Sequence, residues 1–103
     1  MSPSQVHLIT IVAESILEER LVRDVQACGA SGWTITACLG HSRDGGGAAD
    51  FEGGNIRLEV LVHEAPMEQV WQVLTDDYFN RYSVVAWSTP VRVERPGEYA
   101  PGT

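Results

Sequence analysis

The 103-residue sequence has no lysine; its seven basic residues are all arginine, against 14 acidic side chains, for a formal net charge of -7. A nucleic-acid binder needs a basic footprint to offset phosphates, and an anionic membrane surface selects basic clusters. Neither is an expected partner of this chain. No run of about 18 apolar residues exists, so no membrane-inserted helix is expected. No basic stretch precedes the first apolar segment, which reads against a secretory signal and for a cytoplasmic setting. The two cysteines, Cys28 and Cys38, and the three histidines, His7, His41 and His63, show no CxxC or HxxxH spacing, so no metal site is expected. Both thiols read as reduced and buried. Gly45, Gly46 and Gly47 are not followed by a Gly-Lys-Ser/Thr sequence, which removes the P-loop reading.

What remains is an apolar content of 44%, enough for one core, in a length that fits a single domain over residues 1–103. A chain this short buries a limited share of its own surface, so association with further copies is a natural source of extra burial.

Residues 6–12 form a short, β-branched apolar run and predict a central strand buried on both faces. Leu17, Leu21, Val25 and Cys28 then recur at helical spacing. Ser15 and Glu18 have the spacing of a capping box, and Gly29 fits the helix end. Residues 32–39 predict a second strand, with Trp33, Ile35 and Ala37 on one face and Thr34, Thr36 and Cys38 on the other. Residues 40–54 hold six glycines in fifteen positions and no periodicity, so they read as a long loop, mobile without a ligand and of functional interest. From Asn55, the residues Ile56, Leu58, Val60 and Val62 alternate with Arg57, Glu59, Leu61 and His63 as a third strand. Pro66 suits a first helical turn, and Met67, Val70, Trp71, Leu74 and Tyr78 form the stripe of a second helix ended by Asn80 and Arg81. A last strand starts near Ser83, and Pro90 marks it as an edge or bulged strand. Residues 96–103 are rich in Pro and Gly and read as a loose tail.

The order β-α-β-β-α-β is that of a ferredoxin-like α+β sandwich, in which two helices cover one face of a four-stranded antiparallel sheet. The other face also carries apolar residues with no helix left to cover it, so an oligomer is expected.

With the long loop after the second strand, the chain resembles the PII superfamily, and within it the carbon-related, PII-like branch of carboxysome-associated and bicarbonate-transporter-associated proteins. The residues 32–36 (Gly-Trp-Thr-Ile-Thr) resemble the PII second strand. Gly40, His41, Ser42 and Arg43 resemble the start of the PII T-loop. Residues 55–60 (Asn-Ile-Arg-Leu-Glu-Val) resemble the strand after that loop, and Tyr82, Ser83, Val84 and Val85 stand where the branch has a shortened B-loop. The resemblance implies a PII-like homotrimer that binds ligand in the cleft between subunits. It places Thr34 and Glu59 near an adenine edge, with Leu61 against the ring. It places Gly40, His41, Ser42 and Arg43 at the T-loop base, where Arg43 can fork onto phosphate. Tyr82, Ser83 and Val84 fall in the B-loop, and Arg95 matches a C-terminal arginine that reaches phosphates from the adjacent subunit.

Two departures narrow the ligand. The B-loop lacks the usual lysines, which favours ADP or AMP over ATP, and the T-loop lacks tyrosine, which removes uridylylation. The resemblance implies a regulator and not an enzyme, with adenine nucleotide and bicarbonate as ligands and a transporter or carboxysome component as target. Other readings stay open at this point: a small dimeric ferredoxin-like oxygenase or isomerase, or an assembly module without a ligand. Arg57 and Glu59 can be a surface pair worth little, and Asp76 and Asp77 a solvated helix terminus.

Overall fold

The computed structural model describes residues 5–30, 32–39 and 54–94. It contains β1 (Val6–Glu14), a 3-10 turn (Ser15–Leu17), α1 (Glu18–Ala27), β2 (Thr34–Cys38), β3 (Asn55–Val62), α2 (Glu64–Asp77) and β4 (Val85–Val91). The strands form one sheet in the order β2-β3-β1-β4, and every neighbouring pair is antiparallel. This is the expected ferredoxin-like arrangement.

Strand alternation builds the core, because successive side chains point to opposite sheet faces. Ile9, Ile11 and Ala13 of β1 and Ile56, Leu58, Val60 and Val62 of β3 turn to the helices and are buried. Leu17, Leu21, Val25 and Cys28 meet them from the first helical segment, and Met67, Val70, Leu74 and Tyr78 from the second. Each large aliphatic side chain so buried contributes roughly 1.5–3 kcal/mol. Trp71 is half-buried and packs against this cluster from its margin.

The end of α1 is set by glycine. Gly29 has φ +111, a backbone state that side chains with a Cβ rarely adopt. Its N–H donates to Gln26 O, and the Ala30 N–H donates to Val25 O, which is the paired-bond ending that glycine makes possible.

The start of α1 departs from the capping-box expectation. Leu17 is the N-cap, with no side-chain cap bond, and Ser15 lies in the 3-10 turn before it. The Ser15 hydroxyl and backbone N–H both donate to Gly54 O, at 2.9 and 3.0 Å. A long-range partner has taken the hydroxyl that the local pattern offered to the helix.

Other boundaries shift modestly. β1 runs two residues past position 12, β2 is shorter than residues 32–39, and β4 opens at Val85, after Ser83 and Val84. α2 ends at Asp77, because the Phe79 N–H returns to Leu74 O and the chain turns from Tyr78 onward. Cys28 is buried as expected, but Cys38, at the end of the edge strand β2, is only half-buried. Pro90 sits in β4, an edge strand as expected, opposite His7 and without a break in register.

Candidate functional site

The uncovered sheet face carries three of the described candidates, Thr34, Glu59 and Leu61. Register places Thr34 of β2 opposite Glu59 of β3, and Glu59 opposite Thr10 of β1. Thr10 in turn lies opposite Trp87 of β4. One row thus crosses the sheet as Thr34, Glu59, Thr10 and Trp87. Leu61 stands two residues along β3 on the same face, opposite Leu8.

Glu59 is half-buried and holds two weak contacts. The Thr10 hydroxyl donates to its Oε2 at 3.5 Å, and Arg57 Nε lies 3.8 Å from its Oε1. The Arg57 side chain is about half open to water, so this pair adds little stability and leaves the carboxylate with capacity to accept. Thr34 is exposed beside it. A hydroxyl and a carboxylate in adjacent register, with Leu61 nearby, can meet a flat amine-bearing ring. Thr10 was not among the sequence candidates; it is 3% exposed although it lies on the uncovered face. Its signal was a lone hydroxyl at the centre of an apolar run.

Tyr82, Ser83 and Val84 lie elsewhere. They lead into β4, whose first residue pairs with Val12 near the end of β1. β3 and β1 separate β2 from β4, so those two edge strands are roughly 14 Å apart at the usual strand spacing. The chain therefore brings Thr34, Glu59 and Leu61 together and keeps Tyr82, Ser83 and Val84 at the opposite edge.

The Tyr82 side chain is already engaged. Its hydroxyl accepts from Arg20 Nη1 at 3.0 Å, and the Arg20 guanidinium stands 5.0 Å from the Tyr78 ring centroid and 5.7 Å from that of Tyr82. The buried Tyr78 hydroxyl donates to Asp24 at 2.6 Å. Burial first, and then the Asp24 bond, hold this phenol well above its ordinary pKa of 10.0. Ser83 is exposed and Val84 half-buried.

Gly40, His41, Ser42, Arg43 and Arg95 lie outside the described residues, as do the loop up to residue 53 and the tail from residue 96. Among the described residues no group of three or more His, Cys, Asp or Glu side chains could hold a metal ion, and no helix is long and apolar enough to cross a membrane. At the end of α2, Asp76 accepts from the Gln72 amide at 3.0 Å.

Comparison with known proteins adds to this geometry. The family model for the nitrogen regulatory protein P-II matches residues 6–98. A PII-like signalling protein from Thermus thermophilus is 42% identical, over 96% of this chain and 99% of that one, with a TM-score of 0.80. The structure of CPII from Thiomonas intermedia, bound to ADP and bicarbonate, has a TM-score of 0.83 at 18% identity, over 92% and 94% of the two chains. A second structure of that protein, bound to ADP, AMP and bicarbonate, has a TM-score of 0.83 at 20% identity, over 93% and 94%. A search of curated proteins found no match.

Proposed function

The chain belongs to the nitrogen regulatory protein P-II family, and from that membership we propose that it is a homotrimeric sensor of an adenine nucleotide, acting through its long loop on a protein target. It is a signalling protein and not a catalyst. The observation that carries the reading is the division of the candidate site: Thr34 and Glu59 at one side of the sheet, Ser83 and Val84 at the other. One chain cannot close such a site, whereas the β4 edge of a neighbouring copy can stand beside the β2 edge of the first. The uncovered face supplies apolar side chains for that association, with Trp87 50% and Val85 56% exposed.

In this arrangement Thr34 and Glu59 accept from the adenine amine and Leu61 packs on the ring. Gly40, His41, Ser42 and Arg43, with Arg95 from a neighbour, take the phosphates. The bound states of the Thiomonas protein support ADP or AMP as nucleotide and bicarbonate as a second ligand. The shortage of cations favours the same nucleotides over ATP, because each added phosphate charge needs local compensation. The loop over residues 40–54 would be ordered by ligand and dock on a target in inorganic-carbon uptake or the carboxysome, in the cytoplasm.

Calorimetric titration with ADP, AMP, ATP and bicarbonate tests the reading. ADP or AMP should bind more tightly than ATP, and Glu59→Gln should weaken ADP by about tenfold, the value of roughly one charge-assisted hydrogen bond. Absence of heat and of thermal stabilisation with every nucleotide would refute it.

A further inference from the structure

The segment 78–84 joins α2 to β4 and carries the Ser83 and Val84 half of the proposed site. Its backbone turns tightly: the Arg81 and Tyr82 N–H groups both donate to Tyr78 O, and the Val84 N–H donates to Tyr82 O at 2.9 Å. Phe79, Asn80, Arg81 and Ser83 face water, while Tyr78 and Tyr82 turn inward. Both inward rings meet one cation on α1. Arg20 lies against the two faces and bonds the Tyr82 hydroxyl, and Asp24, one turn later on α1, takes the Tyr78 hydroxyl. The two rings are themselves in tilted contact, 6.0 Å between centroids.

We propose that Arg20 is a positioning residue for the ligand site: it braces segment 78–84 against α1, so that Ser83 and Val84 are presented in one fixed geometry to the neighbouring copy. This rests on the reading above for its ligand, but not for the brace itself. A planar guanidinium can stack on aromatic faces and donate in its own plane at once, which an ammonium cannot do. The brace joins positions 62 residues apart and acts on the segment through Tyr82. Pre-organisation of this kind raises affinity by removing the cost of ordering the segment at binding.

Two measurements test it on the full chain. In ligand-free protein, Arg20→Met should raise hydrogen exchange at the Tyr82 and Val84 amides about tenfold while β1 and β3 amides stay unchanged, as expected for local opening. In titrations the same variant should bind ADP about five- to tenfold more weakly at unchanged oligomer mass, by the loss of pre-organisation. Arg20→Lys should recover only part of that affinity, and Tyr82→Phe added to Arg20→Met should weaken binding little further, because the two act as one unit. Unchanged exchange at Tyr82 and Val84 would overturn the brace. Faster exchange with unchanged ADP affinity would overturn its role in binding and leave a purely structural contact. Failure of the wild-type protein to bind any nucleotide would remove the sensor reading, and the positioning role with it, while the exchange result still decides the brace.

Discussion

Single side chains decide how the helical layer is tied to the rest of the chain. Tyr78 is 0% exposed, and its phenol is kept neutral mainly by burial and secondarily by Asp24. The folded value lies above the ordinary 10.0, so the folded state holds the proton longer than the unfolded chain. Its contribution to stability is complete below pH 10.0 and is lost as pH rises through the folded value. Tyr78→Phe should cost about 1–2 kcal/mol near neutral pH through the lost hydrogen bond. The variant should also show a shallower loss of stability from about pH 10 upward, since it has no phenol to titrate. Urea unfolding across that range checks both, and parallel slopes for the two proteins would count against the assignment. The sequence displayed Tyr78 only as the end of an apolar stripe and Tyr82 only as a ligand candidate. Their hydroxyl partners lie 54 and 62 residues away, beyond any local pattern. The spacing of Arg20 to Asp24 and of Tyr78 to Tyr82, four residues each, was the available hint.

At the scale of elements, local chemistry wrote most of the outcome into the chain. The two-residue period of Ile56, Leu58, Val60 and Val62 fixed both the strand and its buried face, because a slip by one residue would turn all four to the uncovered side. Gly29 likewise announced a helix end. Gly29→Ala should destabilise the fold by about 1 kcal/mol or more, since alanine must adopt a positive φ there. An added Cβ would meet Pro66 only at ordinary contact distance, 3.7 Å, so the cost is one of backbone strain. A shift in thermal midpoint measures it, and an unchanged midpoint would argue against that conformation. The capping-box pattern misled because nothing in positions 15–18 reveals that Gly54 competes for the serine hydroxyl. Thr34 and Glu59, by contrast, came together through the resemblance, and strand alternation alone could say only which face each occupies; the register of β2 on β3 sets them opposite one another.

At the scale of the whole molecule, the sheet is finished on one side only. The helices cover Ile9, Ile11 and their neighbours, while Val85 and Trp87 project half-exposed from the other face. Trp87→Glu places a charge there and should break the proposed trimer into smaller species, because burying an unpaired carboxylate at an interface is costly. Light scattering coupled to size-exclusion chromatography reads the mass, and a variant that keeps the wild-type trimer mass would show that Trp87 lies outside the contact. The proposed number of copies and the proposed cleft rest on resemblance, since one chain's periodicity says which face is apolar but not what meets it.

The placement of Thr34 and Ser83 on opposite margins of a single sheet has a final consequence. On the proposed reading a solitary chain would own two incomplete halves that cannot meet, so dilution alone would deafen it. Nucleotide, in turn, would act as an adhesive between chains, and occupancy and assembly would rise and fall as one linked quantity.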